Sequence, residues 1–326
     1  MVFIEGVVIR HSKGLYDVQT DGQVVPCRLR GNLKKEFVRH ESANIRRIRQ
    51  AKRKRVSDPV VVGDRVRFER VTEEEGIIVE VFPRRSQFAR PVAEGREEHV
   101  IMANLDQMVI VFAAAEPRPD LWRLDRFIVV AEASALEALI VLNKMDLMDD
   151  PSREHERAEI HQAFHVLERI GYRVLYTSTA DGRGLDELRA ALVGKISVFC
   201  GPSGVGKSSL LNALQPGLNL AVSEVGEVTH LGRHTTVIAQ LIPLDCGGWV
   251  ADTPGIRQLG LWNVAPEDLE VCFREFAPFL GQCRFNDCIH LHEPGCAIRL
   301  AVERGEIDER RYRSYAQLRQ ETPPDR

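Results

Sequence analysis

One glycine-rich segment constrains the fold of this chain more than any other feature of its sequence. Residues 201–208 read Gly-Pro-Ser-Gly-Val-Gly-Lys-Ser and fit the pattern G-x-x-x-x-G-K-[ST]. An apolar run at 196–199 precedes the segment and predicts a strand, and residues 208–214 predict a helix. Glycines allow successive backbone N–H groups to point at phosphate, and the helix N-terminus adds positive potential. The segment therefore predicts a phosphate-binding loop between a strand and a helix.

The chain around this loop alternates short apolar runs with longer amphipathic ones. Strands are predicted at 108–114, 138–142 and 173–176, the first two of them buried, and helices are predicted at 121–135, 151–170 and 185–192. Strands separated by helices in this way are typical of a mostly parallel sheet that is covered on both faces. We therefore expect a central α/β domain, over residues 86–265, that contains the loop.

The first 85 residues have a different rhythm. Runs rich in β-branched residues are separated by Gly, Asn and Asp, and they lie at 7–10, 15–19, 24–29, 65–70 and 76–81. Five or six short strands of this kind suit a small β-barrel such as an OB-fold. We therefore expect an N-terminal barrel domain over residues 1–85.

A strongly basic stretch lies inside this barrel region, although the whole chain carries a net charge of only −3. Residues 28–55 contain twelve basic and two acidic residues, a net charge of +10. Many charge runs are only solvated loops, but OB-type barrels commonly bind oligonucleotides. We therefore predict contacts to RNA phosphates that do not read the base sequence, made by Arg46, Arg47, Arg49, Lys52, Arg53, Lys54 and Arg55.

Composition excludes several classes of protein. The longest apolar run, at 108–115, is far shorter than the ~20 residues that a membrane helix needs. Seven cysteines are too few, and odd in number, for a disulfide scaffold. Charged residues interrupt the start of the chain, so no signal-peptide core is expected. We expect a monomer without membrane association in the reducing cytoplasm.

Three of the cysteines lie close together near the C-terminus. Their spacing is Cys283-x4-Cys288-x-His290-x5-Cys296, which places three thiols and one imidazole within fourteen residues. Such a set suits tetrahedral Zn²⁺, and four protein ligands leave no open position for catalysis, so we expect one structural zinc ion. His292 is the alternative imidazole, and buried free cysteines are the alternative to a metal site. We expect a small helical zinc-binding domain over residues 266–326.

A polar tetrapeptide follows the strand predicted at 138–142. It reads Asn143-Lys144-Met145-Asp146 and lies at the carboxyl end of a strand, where α/β proteins bind ligands. The Asp146 carboxylate can accept two hydrogen bonds from guanine that adenine does not offer. Asn143 can contact the other edge of the base, and the stem of Lys144 can cover its face. Alone the tetrapeptide would be an ordinary turn, but beside the phosphate-binding loop it predicts a guanine nucleotide site.

A third motif, Asp252-Thr253-Pro254-Gly255, follows an apolar run at 249–251. Asp252 can hold Mg²⁺ through water, and the Gly255 amide can meet a γ-phosphate. In the loop, Lys207 supplies charge to the β- and γ-phosphates, and the Ser208 hydroxyl can bind Mg²⁺. The complete set of expected loop contacts to GTP comprises Gly201, Pro202, Ser203, Gly204, Val205, Gly206, Lys207, Ser208 and Ser209.

The three motifs resemble those of Ras-like GTPases, but their order is permuted, because Asn143 precedes Gly201 and no second N-K-x-D follows Asp252. Circular permutation is tolerated when the original termini lie close together. Together with the basic barrel and the cysteine cluster, these motifs make the whole chain resemble the RsgA (YjeQ) family of circularly permuted GTPases. The residues that carry this resemblance are 143–146, 201–209, 232–236, 252–257 and the cysteine cluster.

The resemblance implies a GTP hydrolase that assists late maturation of the small (30S) ribosomal subunit. Its implied partners are that subunit, its rRNA, and GTP or GDP, and Mg²⁺ would accompany the nucleotide. Residues 177–180 occupy the place of the family's fifth motif, so the resemblance also implies a guanine contact at Ser178.

The sequence patterns identify the residues for hydrolysis less clearly than those for nucleotide binding. Ile256 follows the D-x-P-G motif, where Ras-like enzymes carry a Gln that orients the attacking water. The resemblance implies this role for His234, although a lone histidine is more often a bystander. Thr235 or Thr236 is the expected second Mg²⁺ ligand, and these three residues with Lys207 form the predicted catalytic set.

Two other functions stay open. A GTP-gated RNA-binding module, in which hydrolysis is incidental, is compatible with Ile256 in place of Gln. An ATP-dependent phosphotransferase is disfavoured by Asp146, because a carboxylate at that position selects guanine over adenine.

Overall fold

The structure is a computed structural model that describes residues 3–12, 14–31, 33, 55–56, 59–91, 97–218, 239–252, 264 and 266–321. Its contacts divide the chain into two compact units. The first unit comprises Met1–Asp106, Gly194–Val198 and Leu231–Ile256, and the second comprises Gln107–Val193, Phe199–His230 and Arg257–Arg326. The predicted division into three domains at residues 85 and 265 stays a prediction.

The described residues form first a run of strands and then strands and helices in mixed order. The strands are β1 (Phe3–Ser12), β2 (Leu15–Thr20), β3 (Gln23–Leu29), β4 (Arg55–Val56), β5 (Arg65–Arg70), β6 (Gly76–Val81), β7 (Gln87–Pro91), β8 (Glu97–Ala103), β9 (Gln107–Ala113), β10 (Glu137–Asn143), β11 (Arg173–Tyr176), β12 (Ile196–Cys200), β13 (Gln240–Pro243) and β14 (Trp249–Asp252). The α-helices are α1 (Leu121–Ala133), α2 (Glu154–Ile170), α3 (Leu185–Leu192), α4 (Lys207–Leu214), α5 (Ala297–Glu303) and α6 (Glu309–Glu321).

The first unit contains the N-terminal barrel, which confirms the predicted β-barrel. Its strands follow the order β1-β2-β3-β6-β5, and pairing of β1 with β5 closes the circle. Alternate residues point inward, so Val8, Val18, Phe68 and Ile78 are completely buried. Gly76 lies against this core, where a Cβ would be 2.7 Å from the Phe68 ring, so only glycine fits there.

A small sheet that the sequence did not predict adjoins the barrel in the same unit. Its strand order is β4-β8-β7. The β8 sequence, Glu-Glu-His-Val-Ile-Met-Ala, begins with three polar residues and lacks the alternation of apolar and polar residues by which strands are recognised. Just after β8, the Asn104 side chain donates to the Gly63 carbonyl at 2.9 Å and its oxygen accepts from the Arg85 N–H at 2.9 Å.

The barrel sheet continues into the strands that carry two of the motifs. β1 pairs with β13 at Arg10 and Gln240, β13 pairs with β14, and β14 runs parallel to β12. The chain therefore leaves β12 and β14 in the same direction. The phosphate-binding loop follows β12, and Asp252 is the last residue of β14.

The second unit contains a parallel sheet in the order β11-β10-β9, which confirms the strands predicted at 108–114, 138–142 and 173–176. Every residue of β9 is buried, as its unbroken apolar sequence predicts. Helix α1 begins at Asp120, whose side chain accepts from the Arg123 N–H at 3.1 Å. Helix α2 ends at Gly171, which has the left-handed φ of 101° that a helix C-terminus favours.

The C-terminal part of the second unit differs in one respect from its prediction. The helix expected from residue 266 is replaced by three short 3-10 helices, Pro266–Asp268, Glu270–Cys272 and Arg274–Phe276. Apolar residues from these turns and from α5 and α6 form one core, which includes Phe273, Phe276 and Tyr315. Each 3-10 helix has only three residues, which is too short to show the amphipathic periodicity of an α-helix. Its side chains therefore reach the core from an irregular backbone.

Several predicted regions lie outside the described residues. They include most of the basic stretch 28–55, of which residues 28–31, 33 and 55 are described. Within the described part of the chain, the helices are all too short or too polar to span a bilayer.

Candidate nucleotide and metal sites

The loop that follows β12 has the backbone that its glycines predict. Gly201 has a φ of +136°, and a Cβ on it would collide with the backbone carbonyl of Val111. Gly206 precedes α4 with a φ of +95°, so α4 begins at Lys207. Both backbone conformations strongly favour glycine. The sequence between β12 and α4 is therefore shaped as a strand–loop–helix unit with a helix N-terminus facing the loop.

Lys207 folds back over its own loop. Its Nζ donates hydrogen bonds to the carbonyls of Gly201 at 2.8 Å and of Pro202 at 2.5 Å. An ammonium group held this way is already placed within the loop, where it can meet phosphate oxygens. Ser208 and Ser209 lie in the first turn of α4.

The Asn143 side chain joins the N-K-M-D segment to the loop. Asn143 is 1 % exposed, and its Nδ2 donates to the Val205 carbonyl at 2.9 Å across 62 residues of sequence. Its Oδ1 accepts from the Thr177 hydroxyl at 3.1 Å. The structure thus brings together two segments that the permuted sequence order separates. The Asn143 side chain therefore bonds to other parts of the protein. This structural role is additional to the base contact that the sequence predicts.

The Asp146 carboxylate is held by the segment that follows β11. The Ser178 hydroxyl donates to Asp146 Oδ1 at 2.6 Å, and Ser178 is itself completely buried. The same hydroxyl oxygen accepts from the Ala180 N–H at 3.1 Å. Ser178, predicted as a base contact, therefore also orients the carboxylate that is expected to select guanine.

Lys144 adopts a left-handed conformation with a φ of +61°. Its Nζ donates to the backbone carbonyl of Glu116, in the loop between β9 and α1. The Glu116 carboxylate in turn binds Arg153 Nη2 at 2.6 Å. The lysine stem is therefore fixed beside the N-K-M-D turn.

The structure places some predicted residues only in part. Asp252 ends β14, and only its backbone is described. Residues outside the described part of the chain are Gly255, His234, Thr235, Thr236, Arg46, Arg47, Arg49, Lys52, Arg53 and Lys54.

The four residues of the cysteine cluster converge on one point. Their ligand atoms all lie within 4.8 Å of one another. His290 Nδ1 lies 3.5 Å from Cys283 Sγ and 3.4 Å from the Sγ atoms of Cys288 and Cys296, and Cys283 and Cys296 are 3.9 Å apart. A tetrahedral ion with Zn²⁺ bond lengths would place its sulfurs about 3.8 Å apart and sulfur about 3.5 Å from nitrogen. The donors therefore fit a four-coordinate metal, whereas His292 is exposed.

The backbone of the metal-binding turn is held by side chains around it. The Glu293 carboxylate accepts from the N–H groups of Ile289, Leu291 and His292, each at 3.1 Å. Partial burial opposes ionisation, but these backbone donors outweigh it and lower the pKa of Glu293 to about 2. The hydroxyls of Tyr312 and Tyr315 donate to the carbonyls of His290 at 2.8 Å and Ile289 at 2.9 Å.

The protonation of the cluster follows from its surroundings. Burial opposes a positive charge on His290, but the Glu270 carboxylate and the neighbouring thiols raise its pKa above the usual value. Burial likewise opposes ionisation of Cys283, but the Ala297 N–H, 3.4 Å from its Sγ, helps to lower the pKa of that thiol. Outside the cluster, burial raises the pKa of the Cys27 and Cys272 thiols to about 12. Those two thiols have the chemistry of inert core residues.

The residues that position the site were mostly missed from the sequence. They are Glu116, Thr177, Glu270 and Glu293. Thr177 lies in the segment 177–180 that resembles the fifth motif, but no role was predicted for it, and the other three belong to no recognised motif. Only the spacing of Glu293 between two cluster ligands could have drawn attention to it. Their roles depend on partners that the fold, rather than the local sequence, supplies.

Comparisons with known proteins agree with this geometry. A family model described as RsgA GTPase matches residues 81–262, and one described as RsgA N-terminal domain matches residues 5–78. Proteins named small ribosomal subunit biogenesis GTPase RsgA are similar along nearly the whole chain. The protein from Gemmatimonas aurantiaca is 43 % identical over 321 residues, covering 97 % of this chain and 96 % of that protein. The one from Moorella thermoacetica is 42 % identical over 313 residues, covering 96 % of this chain and 95 % of that protein.

Two solved structures share the fold. YjeQ from Thermotoga maritima matches with a TM-score of 0.78 and 34 % identity, covering 100 % of both chains. YloQ, titled a circularly permuted GTPase, matches with a TM-score of 0.73 and 30 % identity, covering 100 % of this chain and 98 % of that one. Together with the permuted order of the motifs and the hydrogen bond from Asn143 to the phosphate-binding loop, these similarities establish that the chain belongs to the RsgA GTPase family and is a GTP-hydrolysing enzyme.

Proposed function

We propose that this GTPase acts on the small ribosomal subunit and assists its late maturation. Its relatives from Gemmatimonas aurantiaca and Moorella thermoacetica are named small ribosomal subunit biogenesis GTPases. The main support for a guanine nucleotide site is the hydrogen bond from Asn143 to Val205, because it holds the N-K-M-D motif against the phosphate-binding loop.

Base recognition is assigned to the segment that follows β10. Asp146 accepts hydrogen bonds from guanine, and the hydroxyl of Ser178, 2.6 Å from it, holds the carboxylate in one orientation. The stem of Lys144, fixed by the Glu116 carbonyl, covers the face of the base. A carboxylate that is already oriented loses less entropy when the base binds.

Phosphate binding is assigned to the loop and its helix. Lys207 exchanges its carbonyl partners for phosphate oxygens, and backbone N–H groups at the start of α4 point at the same charge. Mg²⁺ would neutralise charge that develops on the phosphates, with Ser208 and Asp252 as ligands by virtue of their motifs. His234 is proposed to orient the attacking water, and Thr235 or Thr236 to bind the γ-phosphate side of the ion.

The cysteine cluster is proposed to bind one structural zinc ion. Its Cys₃His donor set is one that Zn²⁺ favours, and its distances match Zn²⁺ bond lengths. Four protein ligands leave no position for a reacting water. Metal binding would instead supply folding free energy to residues 266–326, which we propose form a separate domain.

Contact with the ribosome is assigned to the basic stretch of the barrel. Residues 28–55 carry a net charge of +10, which suits the phosphates of rRNA. We propose that residues 1–85 act as the RNA-binding domain, residues 86–265 as the GTPase domain, and that the protein works as a monomer in the cytoplasm, where ribosomal subunits are assembled.

The test is GTP hydrolysis measured with purified small subunits, with large subunits and with neither. Small subunits alone are expected to raise the turnover rate. An Asp146→Ala variant should lose this activity because it cannot bind guanine, and Asp186→Ala, which changes an exposed carboxylate on α3, is the matched control. Equal rates under all three conditions would refute the proposed partner.

A second function is favoured by one feature of the sequence. Ile256 cannot orient water, and it stands where Ras-like enzymes have a Gln. The protein would then be a GTP-gated binding module whose hydrolysis is incidental. This function predicts that the complex with the small subunit dissociates at the same rate with GTP as with a non-hydrolysable analogue.

A further inference from the structure

The imidazole of His290 faces different partners with its two nitrogens. Nδ1 points at the three thiols of the cluster, whereas Nε2 lies 2.8 Å from Oε2 of Glu270. The His290 side chain is 4 % exposed, and that of Glu270 is 34 % exposed. Glu270 lies 20 residues earlier in the chain, on the 3-10 helix Glu270–Cys272.

The contact with Glu270 selects one form of the imidazole. A carboxylate can only accept hydrogen bonds, so a neutral His290 must carry its proton on Nε2 to make this bond. The lone pair is then on Nδ1, the nitrogen that faces Cys283, Cys288 and Cys296. This is the tautomer that a metal at the centre of the four donors requires.

The backbone of His290 is fixed independently of this contact. His290 has a left-handed φ of +62°, and its carbonyl accepts from Tyr312. The rings of Phe276 and Tyr315 lie 6.4 and 6.2 Å from the imidazole, measured between centroids. These rings pack beside the imidazole but do not distinguish its two nitrogens. Glu270 supplies the polar contact at Nε2 that does.

We propose that Glu270 is a positioning residue of the metal site, which holds His290 in the orientation and tautomer that let Nδ1 bind the ion. This inference rests on the metal site proposed above. It also means that the ion, through His290, fixes the short helix Glu270–Cys272 to the turn that carries the ligands. The hydrogen bond between Glu270 and His290 thus joins two segments that are separate in the sequence.

The test compares zinc affinity in the full-length chain, measured by competition with a chromogenic chelator. Glu270→Ala is expected to bind Zn²⁺ about 10–100-fold more weakly, which is the usual effect of losing a partner behind a metal ligand. Glu270→Gln keeps an oxygen that can accept from Nε2 and should restore most of the affinity. Glu267→Ala changes an exposed carboxylate in the preceding 3-10 helix and is the matched control.

Cobalt substitution separates positioning from a general effect on stability. The absorption bands of bound Co²⁺ report the geometry of its ligands, so Glu270→Ala should shift them and Glu270→Gln should not. If Glu270→Ala melts at a lower temperature but binds Zn²⁺ with wild-type affinity and an unchanged cobalt spectrum, the inference is wrong. If the wild-type chain binds neither ion, the proposed metal site itself is wrong, and the inference falls with it.

Discussion

A buried network of charges connects α1 to the C-terminal helix α6, and its disruption is predicted to destabilise the second unit strongly. The Asp125 carboxylate accepts from Arg311 Nη1 and from Arg310 Nη1, both at 2.7 Å. Arg311 Nε also donates to Glu275 at 2.7 Å. The Asp125 and Arg311 side chains are 0 % exposed. The change Asp125→Asn preserves the shape of the side chain and removes its charge, so both guanidinium groups lose a carboxylate partner and Arg311 keeps the contact with Glu275.

The size of the expected loss of stability follows from the burial of these charges. Two charges 4 Å apart attract by about 4 kcal/mol at an effective dielectric constant near 20. Removal of one partner from a buried pair typically costs about 3–5 kcal/mol, because the other charge is left uncompensated. We therefore expect the free energy of unfolding of Asp125→Asn to fall by about 3–5 kcal/mol, since Arg311 keeps its Glu275 contact but loses its closest partner on α1.

Urea unfolding of the metal-loaded chain, followed by circular dichroism, measures this loss. Glu309→Gln is the control, because its pair with Arg313 in α6 joins side chains that are 67 % and 74 % exposed. Exposed pairs of this kind contribute little to stability, so the control should unfold as the wild type does. A loss below about 1 kcal/mol in Asp125→Asn would refute the reasoning, because it would mean that water or rearrangement compensates the guanidinium groups.

Three further predictions concern the sites. Asp146→Asn should weaken GTP binding and favour xanthosine triphosphate, because an amide N–H can donate to the xanthine carbonyl. Competition between the two nucleotides measures this change. An unchanged preference for GTP would contradict the assigned base contact. Cys288→Ala should lower the zinc content and loosen the C-terminal ~60 residues while GTP binding survives; a stoichiometric zinc content would refute the ligand set. The lowered pKa of Glu293, about 2 against 4.5, means that its contribution is complete above about pH 4.5 and is lost as the pH falls towards 2. With the same excess of Zn²⁺ present in both proteins, the stability advantage of wild type over Glu293→Gln should therefore shrink across that interval. A constant difference would argue against the backbone contacts.

Local chemistry was sufficient to predict the elements that depend on neighbours in sequence. β9 and β10 each contain a continuous apolar run, which is typical of a buried strand in a parallel sheet. The loop from Gly201 has positive φ angles at its glycines, which few other residues adopt. The positions of the glycines in the sequence therefore predict its conformation. The four cluster ligands lie within fourteen residues, so their convergence needs only a tight turn.

Contacts between distant segments could not be predicted in this way. The strand β8 begins with three polar residues, and its place in a sheet depends on the hydrogen-bonding edges that β4 and β7 offer. Glu270 becomes a partner of His290, and Asp125 a partner of Arg311, only after the chain has packed.

The sequence by itself determined the chemical identity of the nucleotide and metal motifs and the type of most strands and helices. These depend on backbone preferences and on the spacing of side chains along a few turns of chain. The tertiary structure decided which residues hold those motifs in place, such as Thr177 behind Asn143 and Glu270 behind His290. The physical reason is that a carboxylate or hydroxyl has no preferred partner in the unfolded chain. Its partner is chosen when burial removes water and leaves one donor or acceptor within reach.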